Sequence, residues 1–421
     1  MLNIALTALL VTGAYAEDAE DAERINPLAP TDEHNLGKHP VAPEKSHYKP
    51  GTGLVVQSKD GDFSMAPRLR IQFRDELHIE EEETTNTFGA RRARLQFKGH
   101  VFGKNNKYKA EFAFSPKDLS YKDGTPGRTP LLSWYTEHTQ LRDLSIRVGQ
   151  YKLLYSRQRV VSSGNQEFVD RSLAQGEFNL DRDIGFHFFS KDLGGIDKLK
   201  YYTGVTIAEG RDSWEAEVIA NEDGDSSPSW QYLGRVEVLP FGGFKDYSEV
   251  DFKRLNKVRM SIGAAYAYTA NGDRDRGYLG DTFTDGGTVT YNNVTADVMM
   301  KWAGLTAFGE FYYRDGQRSD GALRSAAATE DDIYLTRNGM GGSGQVGYLI
   351  PKVPVGVGAR YSAITARGIA NQNSLSDKQE AGGTIGYFIA GHPYKIQADY
   401  FHIWTEDSAS DRVRVQMQVA Y

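Results

Sequence analysis

The sequence contains no cysteine, which excludes disulfide bridges, zinc–thiolate centres and cysteine nucleophiles. No internal stretch approaches the roughly 18 consecutive apolar residues of a membrane-spanning helix. The GxSxG, HExxH and P-loop motifs are also missing, and the nine histidines are scattered along the chain. We therefore expect no enzymatic activity, no cofactor and no metal centre.

The most regular feature of the sequence is an alternation of apolar and polar residues, which is clearest at its carboxyl end. The apolar positions there are Val413, Val415, Met417, Val419 and Tyr421, and they alternate with Arg414, Gln416, Gln418 and Ala420. Successive side chains of a strand point to opposite faces, so this segment predicts a strand with one apolar and one polar side. Such a strand, ending in an aromatic residue, is typical of an outer-membrane barrel whose apolar side meets lipid.

About sixteen segments of this kind follow one another along the chain. They lie near residues 66–79, 88–103, 106–115, 131–139, 143–151, 183–190, 198–209, 229–240, 256–270, 289–302, 304–314, 342–351, 353–364, 380–390, 393–404 and 411–421. Many reach the roughly 9–11 residues that a strand needs to cross a bilayer. The sequence therefore predicts an all-β fold, a transmembrane antiparallel β-barrel of about 16 strands.

The connections between these segments alternate between short turns and long polar stretches, as a meandering barrel requires. The long ones are 115–130, 152–182, 210–228, 271–288, 315–341 and 365–379. The stretch 241–255 is an exception, because it is long on the side of the short turns. We predict that the third long connection, 152–182, folds inward and sets the bore, since sixteen strands enclose more space than side chains fill.

The acidic net charge of -7 conceals a predicted basic interior. The cations on the polar sides of the strands are Arg68, Arg70, Arg74, Arg92, Arg94, Lys98, Lys107, Lys109, Arg147, Arg235, Arg259, Arg314, Arg360, Lys395, Arg412 and Arg414, against the acids Glu111, Glu137, Glu237, Glu310 and Asp399. The third long connection adds Lys152, Arg157, Arg159, Arg171 and Arg182. Rings of Arg and Lys in a narrow pore favour anions, and the planar guanidinium suits phosphate-type oxygens. A single arginine is more simply interpreted as a brace paired with an acid, whereas the whole cluster favours anion conduction.

The first 51 residues are expected to lie outside the barrel domain, which we assign to 52–421. Residues 1–16 form an apolar run that ends in Ala14-Tyr15-Ala16, a pattern that predicts a secretory signal peptide cleaved after Ala16. Residues 17–51 combine the acidic stretch EDAEDAER with scattered prolines, which predicts a disordered or extended periplasmic leader. Acid-rich stretches at 222–225 and 271–275 do not fit the EF-hand spacing and are interpreted as solvated loops.

Several motifs of the chain resemble those of the phosphate-selective porin O/P family. They are Arg68-Leu69, FGARRARLQF at 88–97, VGQYK at 148–152, QEFVDRS at 166–172 and DRDIG at 181–185, and the resemblance runs from about residue 52 to the end. It implies a trimeric sixteen-strand outer-membrane channel in which a ladder of arginines leads to a basic constriction.

The resemblance also implies roles for individual residues. By motif position, Arg68, Arg91 and Arg92 are ladder residues, and Arg159 and Arg171 lie at the constriction. Asp118 and Asp123 are loosely placed candidates for the constriction aspartate of the family. Arg91 is out of phase with Arg92 and Arg94, so it reaches the lumen only through a bulge or at the barrel rim.

Pattern and resemblance together predict a water-filled, anion-selective porin for phosphate or other small oxyanions in the outer membrane of a Gram-negative bacterium. The expected anion-binding and pore residues are Arg68, Arg70, Arg91, Arg92, Arg94, Lys152, Arg157, Arg159 and Arg171. The expected partners are small anions, outer-membrane lipid and lipopolysaccharide, and the other copies of a homotrimer; no nucleic acid is expected.

Two other functions remain open from the sequence. One is a general or sugar-conducting porin, which would require aromatic stacking along the lumen. The other is a plugged structural or adhesive barrel, in which bulky lumen residues such as Phe308, Tyr312 and Phe401 help to fill the interior.

Overall fold

The computed structural model describes residues 45–49, 53–122, 125–213, 228–277, 279–283, 287–318, 335–368 and 373–421. Sixteen long strands of these residues form the barrel wall. They are β1 Ser64–Ile79, β2 Thr84–His100, β3 Asn106–Ala113, β4 Leu131–His138, β5 Ser145–Lys152, β6 Arg182–Ser190, β7 Leu199–Thr206, β8 Trp230–Val238, β9 Arg259–Gly272, β10 Val289–Trp302, β11 Leu305–Arg318, β12 Gly339–Leu349, β13 Val355–Ala366, β14 Lys378–Tyr387, β15 Tyr394–Trp404 and β16 Ala409–Ala420.

The sheet closes on itself because β16 pairs antiparallel with both β15 and β1. Val419, for example, lies opposite Tyr394 on one side and Ile71 on the other. The remaining barrel strands pair antiparallel with their neighbours in sequence. Closure pairs the backbone groups that an open edge would leave exposed, which is what a hydrocarbon environment demands. The predicted sixteen-strand antiparallel barrel is therefore confirmed.

The two faces of the strands have the predicted phase. On β16, Val415 and Met417 are 46% and 39% exposed on the outside, whereas Gln416 and Gln418 are 2% and 0% exposed in the lumen. The same alternation places Arg92 and Arg94 of β2 inside the barrel. Apolar side chains cover the outer wall because a polar side chain facing lipid would lose its hydrogen bonds to water without replacement.

The smaller elements lie in the connections and at the amino end. They are the helices α1 Arg157–Val160 and α2 Leu173–Phe178, a 3₁₀ turn at Leu193–Gly195, and the strand pairs Tyr121–Lys122 with Thr125–Pro126, Arg274–Arg276 with Leu279–Thr282, and Lys45–Lys49 with Gly53–Gln57. No helix among the described residues is long and apolar enough to cross a membrane.

The amino-terminal expectations are only partly covered by the described residues. The predicted signal peptide and most of the predicted leader lie outside them. Lys45–Lys49, which the sequence assigned to the leader, is a strand that pairs with Gly53–Gln57, and Val56 of this pair lies opposite Met65 of β1. The sheet thus begins before residue 52.

The third long connection, 152–182, folds into the lumen, as predicted, and this inward loop is anchored there by aromatic residues. Phe178 of α2 stacks on Tyr312, with ring centroids 6.0 Å apart, and Phe168 packs on Phe401 at 5.9 Å. These four side chains are nearly free of solvent contact, so their burial stabilises the inward position of the loop. The bulky lumen residues Tyr312 and Phe401 therefore hold this loop in place.

The exceptional connection between β8 and β9 also folds into the barrel, from the end with the short turns. Asp246, Ser248, Glu249 and Asp251 are all buried, although they belong to a loop. The Lys301 ammonium group donates hydrogen bonds to the backbone carbonyls of this segment, at 2.9 Å for that of Lys245. The segment is long because it fills part of the lumen instead of only joining two strands.

Candidate functional site

Two cavities inside the barrel are lined by an excess of cations. The loop-side cavity, of about 700 Å³, lies toward the long loops between Arg74, Arg412 and the loop residues Asp170 to Glu177. Its lining has twelve Arg or Lys against five Asp or Glu. The turn-side cavity, of about 380 Å³, lies toward the short turns and has eight cations against one acid, Glu111. Cations therefore outnumber acids in the parts of the lumen that water can enter.

Eight of the nine predicted pore residues line one or other of these cavities. Those of the loop-side cavity are Arg91, Arg92, Arg159 and Arg171, and those of the turn-side cavity are Arg68, Arg70, Arg94 and Lys152. The inward loop contributes to both linings, with Asp170–Asn179 on one side and Leu154, Ser162 and Ser163 on the other. The loop therefore lies at the boundary between the two cavities.

Asp170 of the inward loop is the point at which the strand arginines meet. Its carboxylate lies 2.9 Å from Arg74, 3.4 Å from Arg92 and 3.7 Å from Arg91. Burial alone would raise the pKa of Asp170, but Arg92, Arg74 and Arg91 hold it well below its usual value. Glu76 is a second acid of the cluster, 3.3 Å from Arg74, so three positive charges face two negative ones and the cluster keeps a net charge of about +1.

Arg91 reaches this cluster through a β-bulge. The register of β1 and β2 shifts between Gln72 and Phe73, so that Gln72 lies opposite Arg92 and Phe73 opposite Ala90, which leaves Arg91 unpaired. A bulge of this kind bends the strand and redirects one side chain. It places Arg91 in the lining of the loop-side cavity even though Arg91 is out of phase with Arg92.

Two other arginines at the boundary are neutralised by loop acids. Arg94 donates two hydrogen bonds of 2.7 Å to the Asp118 carboxylate, and Arg159 donates one of 2.7 Å to Asp181. Burial raises the pKa of the Asp118 and Asp181 carboxyl groups, but the nearby arginines lower it by more. Both pKa values therefore lie below the usual value for Asp. Asp118 thus pairs with a wall arginine, whereas Asp123, the other candidate for the family's constriction aspartate, lies outside the described residues.

Arg171 is held by the backbone of its own loop. Its guanidinium donates hydrogen bonds to the carbonyl oxygens of Gln158, Arg159 and Val161, at 2.9, 3.3 and 2.8 Å. Burial, followed by the nearby charge of Arg159, lowers the pKa of Arg171 to about 9, so the group stays charged at neutral pH. Because its partners are neutral, Arg171 contributes a full positive charge to the loop-side cavity.

Three cations of the turn-side cavity have no acidic partner among the described residues. Arg70 is 6% exposed and makes one side-chain hydrogen bond, to Ser162 Oγ at 3.0 Å. Lys152 donates only to the Arg159 carbonyl, at 2.7 Å, and Arg68 has no side-chain partner in the described part of the chain. A buried cation without a counter-charge is costly, which favours an anion from solution as the missing partner.

Arg157, the ninth predicted pore residue, lies elsewhere. Its side chain has no solvent exposure and lines neither cavity. The guanidinium contacts Asp297, and it lies 3.2 Å from Asp246 and 3.6 Å from Glu237. Arg157 therefore joins the inward loop to the wall and to the β8–β9 segment, in the manner of the bracing arginine that the sequence left as an alternative.

Sequence reasoning missed most of the acids that hold this site together. Asp170, Asp181 and Glu177 belong to the inward loop, and Glu177 binds Arg314 and, at 2.7 Å, Arg337. Asp297 is in phase with the lumen side of β10 and could have been counted from the alternation alone. The loop acids had no such signal, because a loop has no fixed period.

No group of three or more acids or histidines among the described residues is arranged to hold a metal ion. The acid-rich stretch at 222–225 lies outside those residues.

Comparison with known proteins places these features in a family. The model of a family described as phosphate-selective porin O and P matches residues 63–356. An uncharacterized protein of Aquifex aeolicus (strain VF5) is 26% identical over 395 residues, which cover 84% of this chain and 87% of that protein. These matches extend over most of the barrel.

Two solved structures have a similar fold. The outer membrane channel DcaP of Acinetobacter baumannii has a TM-score of 0.52 at 13% identity, covering 87% of this chain and 99% of its own. A loop-deletion mutant of OmpT, an outer membrane protein of Vibrio cholerae, has a TM-score of 0.51 at 12% identity, covering 85% and 99%. At these identities the likeness concerns the fold alone.

Proposed function

This chain belongs to the phosphate-selective porin O and P family and forms an outer-membrane channel, and we propose that the channel is water-filled and selective for anions, phosphate or other small oxyanions among them. The observation that carries the proposal is the excess of cations in both cavities, twelve against five and eight against one. A solute that crosses the barrel along these linings meets positive charge on both sides of the inward loop.

The type of cation favours oxyanions over halides. Most of the lining cations are arginines, whose planar guanidinium donates paired hydrogen bonds to carboxylate or phosphate oxygens. Arg171 and Arg70 are charged groups without acidic partners, and both are held in place by neutral oxygen atoms. They are thus oriented before an anion arrives, which lowers the entropic cost of binding it.

Phosphate block of the channel current tests this assignment. We expect phosphate at about millimolar concentration to reduce the chloride current of purified protein in a planar bilayer, because bound phosphate occupies the path of the smaller anion. Replacing Arg171 with Ala should weaken this block by about tenfold, the effect of losing one charge-assisted hydrogen bond of about 1.5 kcal/mol.

Arg414 is the matched control for that experiment. It also lines the loop-side cavity, but its guanidinium is paired with Asp399 through hydrogen bonds of 2.7 and 2.8 Å. Arg414→Ala should therefore change the phosphate block much less than Arg171→Ala. Equal effects of the two substitutions would mean that the inward loop is not the constriction.

We further propose the outer membrane of a Gram-negative bacterium as the location and a homotrimer as the assembly. The apolar outer wall of the barrel supports the outer-membrane location, since it requires lipid, which we propose includes lipopolysaccharide, around it. The homotrimer is proposed from the family resemblance. Crosslinking and size determination in mild detergent should give a mass of about three chains.

The plugged barrel is the second candidate, favoured by the two inward segments. The inward loop and the β8–β9 segment together fill the lumen beside β8 to β13, where Arg157, Asp246 and Glu310 are buried. The open volume lies mainly along β1 to β6, β14 and β16, so we place the conducting path there. Absence of any conductance in a planar bilayer would favour the plugged barrel.

A further inference from the structure

We infer that the turn-side cavity binds an organic anion, one with an oxyanion head attached to a small apolar body. This inference rests on the proposed anion channel and specifies which anions it retains. The volume of about 380 Å³ falls within the range of small-molecule sites. The lining combines cations that lack acidic partners with a group of apolar side chains.

The head of such an anion is recognised by the β1 arginines. Arg68 and Arg70 are inward neighbours on one strand, and neither has an acidic partner among the described residues. The Arg70 guanidinium packs against the backbone of Gly164, so closely that a Cβ atom on Gly164 would lie 2.6 Å from Nη1 of Arg70. The same Nη1 atom donates a hydrogen bond to Ser162 Oγ. Arg70 is therefore fixed in position while part of its hydrogen-bonding capacity stays unused.

The body of the anion is recognised by another part of the same lining. Leu154 and Val160 of the inward loop contribute to it, and Leu154 is backed by Phe189 and Tyr202. Tyr135 of β4 adds an aromatic face, which also carries the Arg147 guanidinium 4.5 Å from its ring centroid. These side chains offer nothing to an inorganic anion, whereas they remove an aryl or alkyl group from water.

Two phosphate monoesters that differ only in their body test the inference. Phenyl phosphate and methyl phosphate carry the same head, so any difference between them in blocking the chloride current reports on the apolar contacts. We expect phenyl phosphate to block wild-type channels at about a tenth of the methyl phosphate concentration, from the burial of an aryl group. Equal blocking concentrations would overturn the inference.

Substitutions in the two halves of the lining separate the contributions. Val160→Ser should bring the two esters to within about threefold of each other, since the apolar contact that favours the larger phenyl group is lost. Arg70→Gln should weaken both esters by about tenfold, because the shared head loses a charged donor. Arg412→Gln, in the loop-side cavity, should leave the phenyl-to-methyl ratio unchanged. An unaltered ratio in Val160→Ser would contradict the inference.

Folding and the broader function can be distinguished from this specificity. Val160→Thr keeps the side-chain volume and serves as the test if Val160→Ser yields no folded barrel, as judged by heat-modifiable migration in detergent gels. If methyl phosphate blocks as inorganic phosphate does but the phenyl group adds nothing, the channel function stands and this inference fails. If neither ester blocks, this inference fails, and if cations also carry the current, the proposed function fails with it.

Discussion

Replacing Arg157 with Ala should raise the unit conductance of the channel about threefold or more, since a sixteen-strand barrel without an inward loop encloses a wide channel. The expectation follows from the burial of three carboxylates around this one guanidinium, those of Asp297, Asp246 and Glu237. Arg235 remains 2.6 Å from Asp297 and Lys200 remains 2.6 Å from Asp246, so after the substitution two cations face three buried carboxylates. One buried negative charge is then left without compensation, which costs about 3–5 kcal/mol. Release of the loop from the wall relieves that cost.

The first helical turn of the loop depends on the same contact region. Glu310 accepts hydrogen bonds from the backbone N–H groups of Arg157 and Gln158, at 2.7 and 3.1 Å, and Ser156 caps the turn by accepting from Arg159. Asp297 and Glu310 are cross-strand neighbours on β10 and β11, so without Arg157 their mutual repulsion is offset by Arg235 alone. The start of the loop should therefore detach first.

An exposed arginine pair provides the control for this experiment. Arg142 is paired with Asp143 at 2.7 Å in a short turn, with a side chain 60% exposed. Surface pairs contribute little to stability, so Arg142→Ala should leave the unit conductance unchanged. A folded Arg157→Ala protein with wild-type conductance would contradict the anchoring role, and would mean that the stacked aromatics hold the loop alone.

Reversing three lumen cations should invert the ion selectivity of the channel. Arg68, Lys117 and Arg128 line the two cavities and have no acidic partner within salt-bridge distance among the described residues. The triple variant Arg68→Glu, Lys117→Glu, Arg128→Glu changes the lumen charge by about six units without breaking a described ion pair. We expect the zero-current potential in a salt gradient to change sign, from anion preference to cation preference.

The same change of charge outside the lumen is the matched control. Lys104, Lys253 and Lys352 are exposed in connections at the short-turn end of the barrel. Their replacement by Glu changes the net charge of the protein equally, but bulk water and salt screen these positions. The zero-current potential should keep its wild-type sign. If both triple variants shift it alike, selectivity would reflect net charge and not the lumen.

The wall of the barrel could be predicted from the sequence because one rule governs all of it. Each residue of a membrane-crossing strand faces either lipid or lumen, so the alternation determines which side chains lie inside. The phases of β2 and β16 were correct to the residue for this reason. Arg91 breaks the alternation and was expected to reach the lumen either through a bulge or at the barrel rim, and the structure has a bulge at this position.

The partners of the lumen cations could not be predicted in the same way. Arg157 and Arg171 both looked like constriction cations, yet one is paired with wall acids and the other with loop carbonyls. The contacts of Arg157 join residues that are far apart in sequence, and those of Arg171 lie within a loop, which has no period from which to infer them. The inward fold of the β8–β9 connection was visible only as an anomalous length.

The basic lumen is tested most directly by the zero-current potential of the unmodified protein in a planar bilayer with a tenfold potassium chloride gradient. A lumen in which cations outnumber acids predicts a potential of the sign set by chloride, and a decrease of the current when phosphate is added. A potential of the sign set by potassium would contradict it.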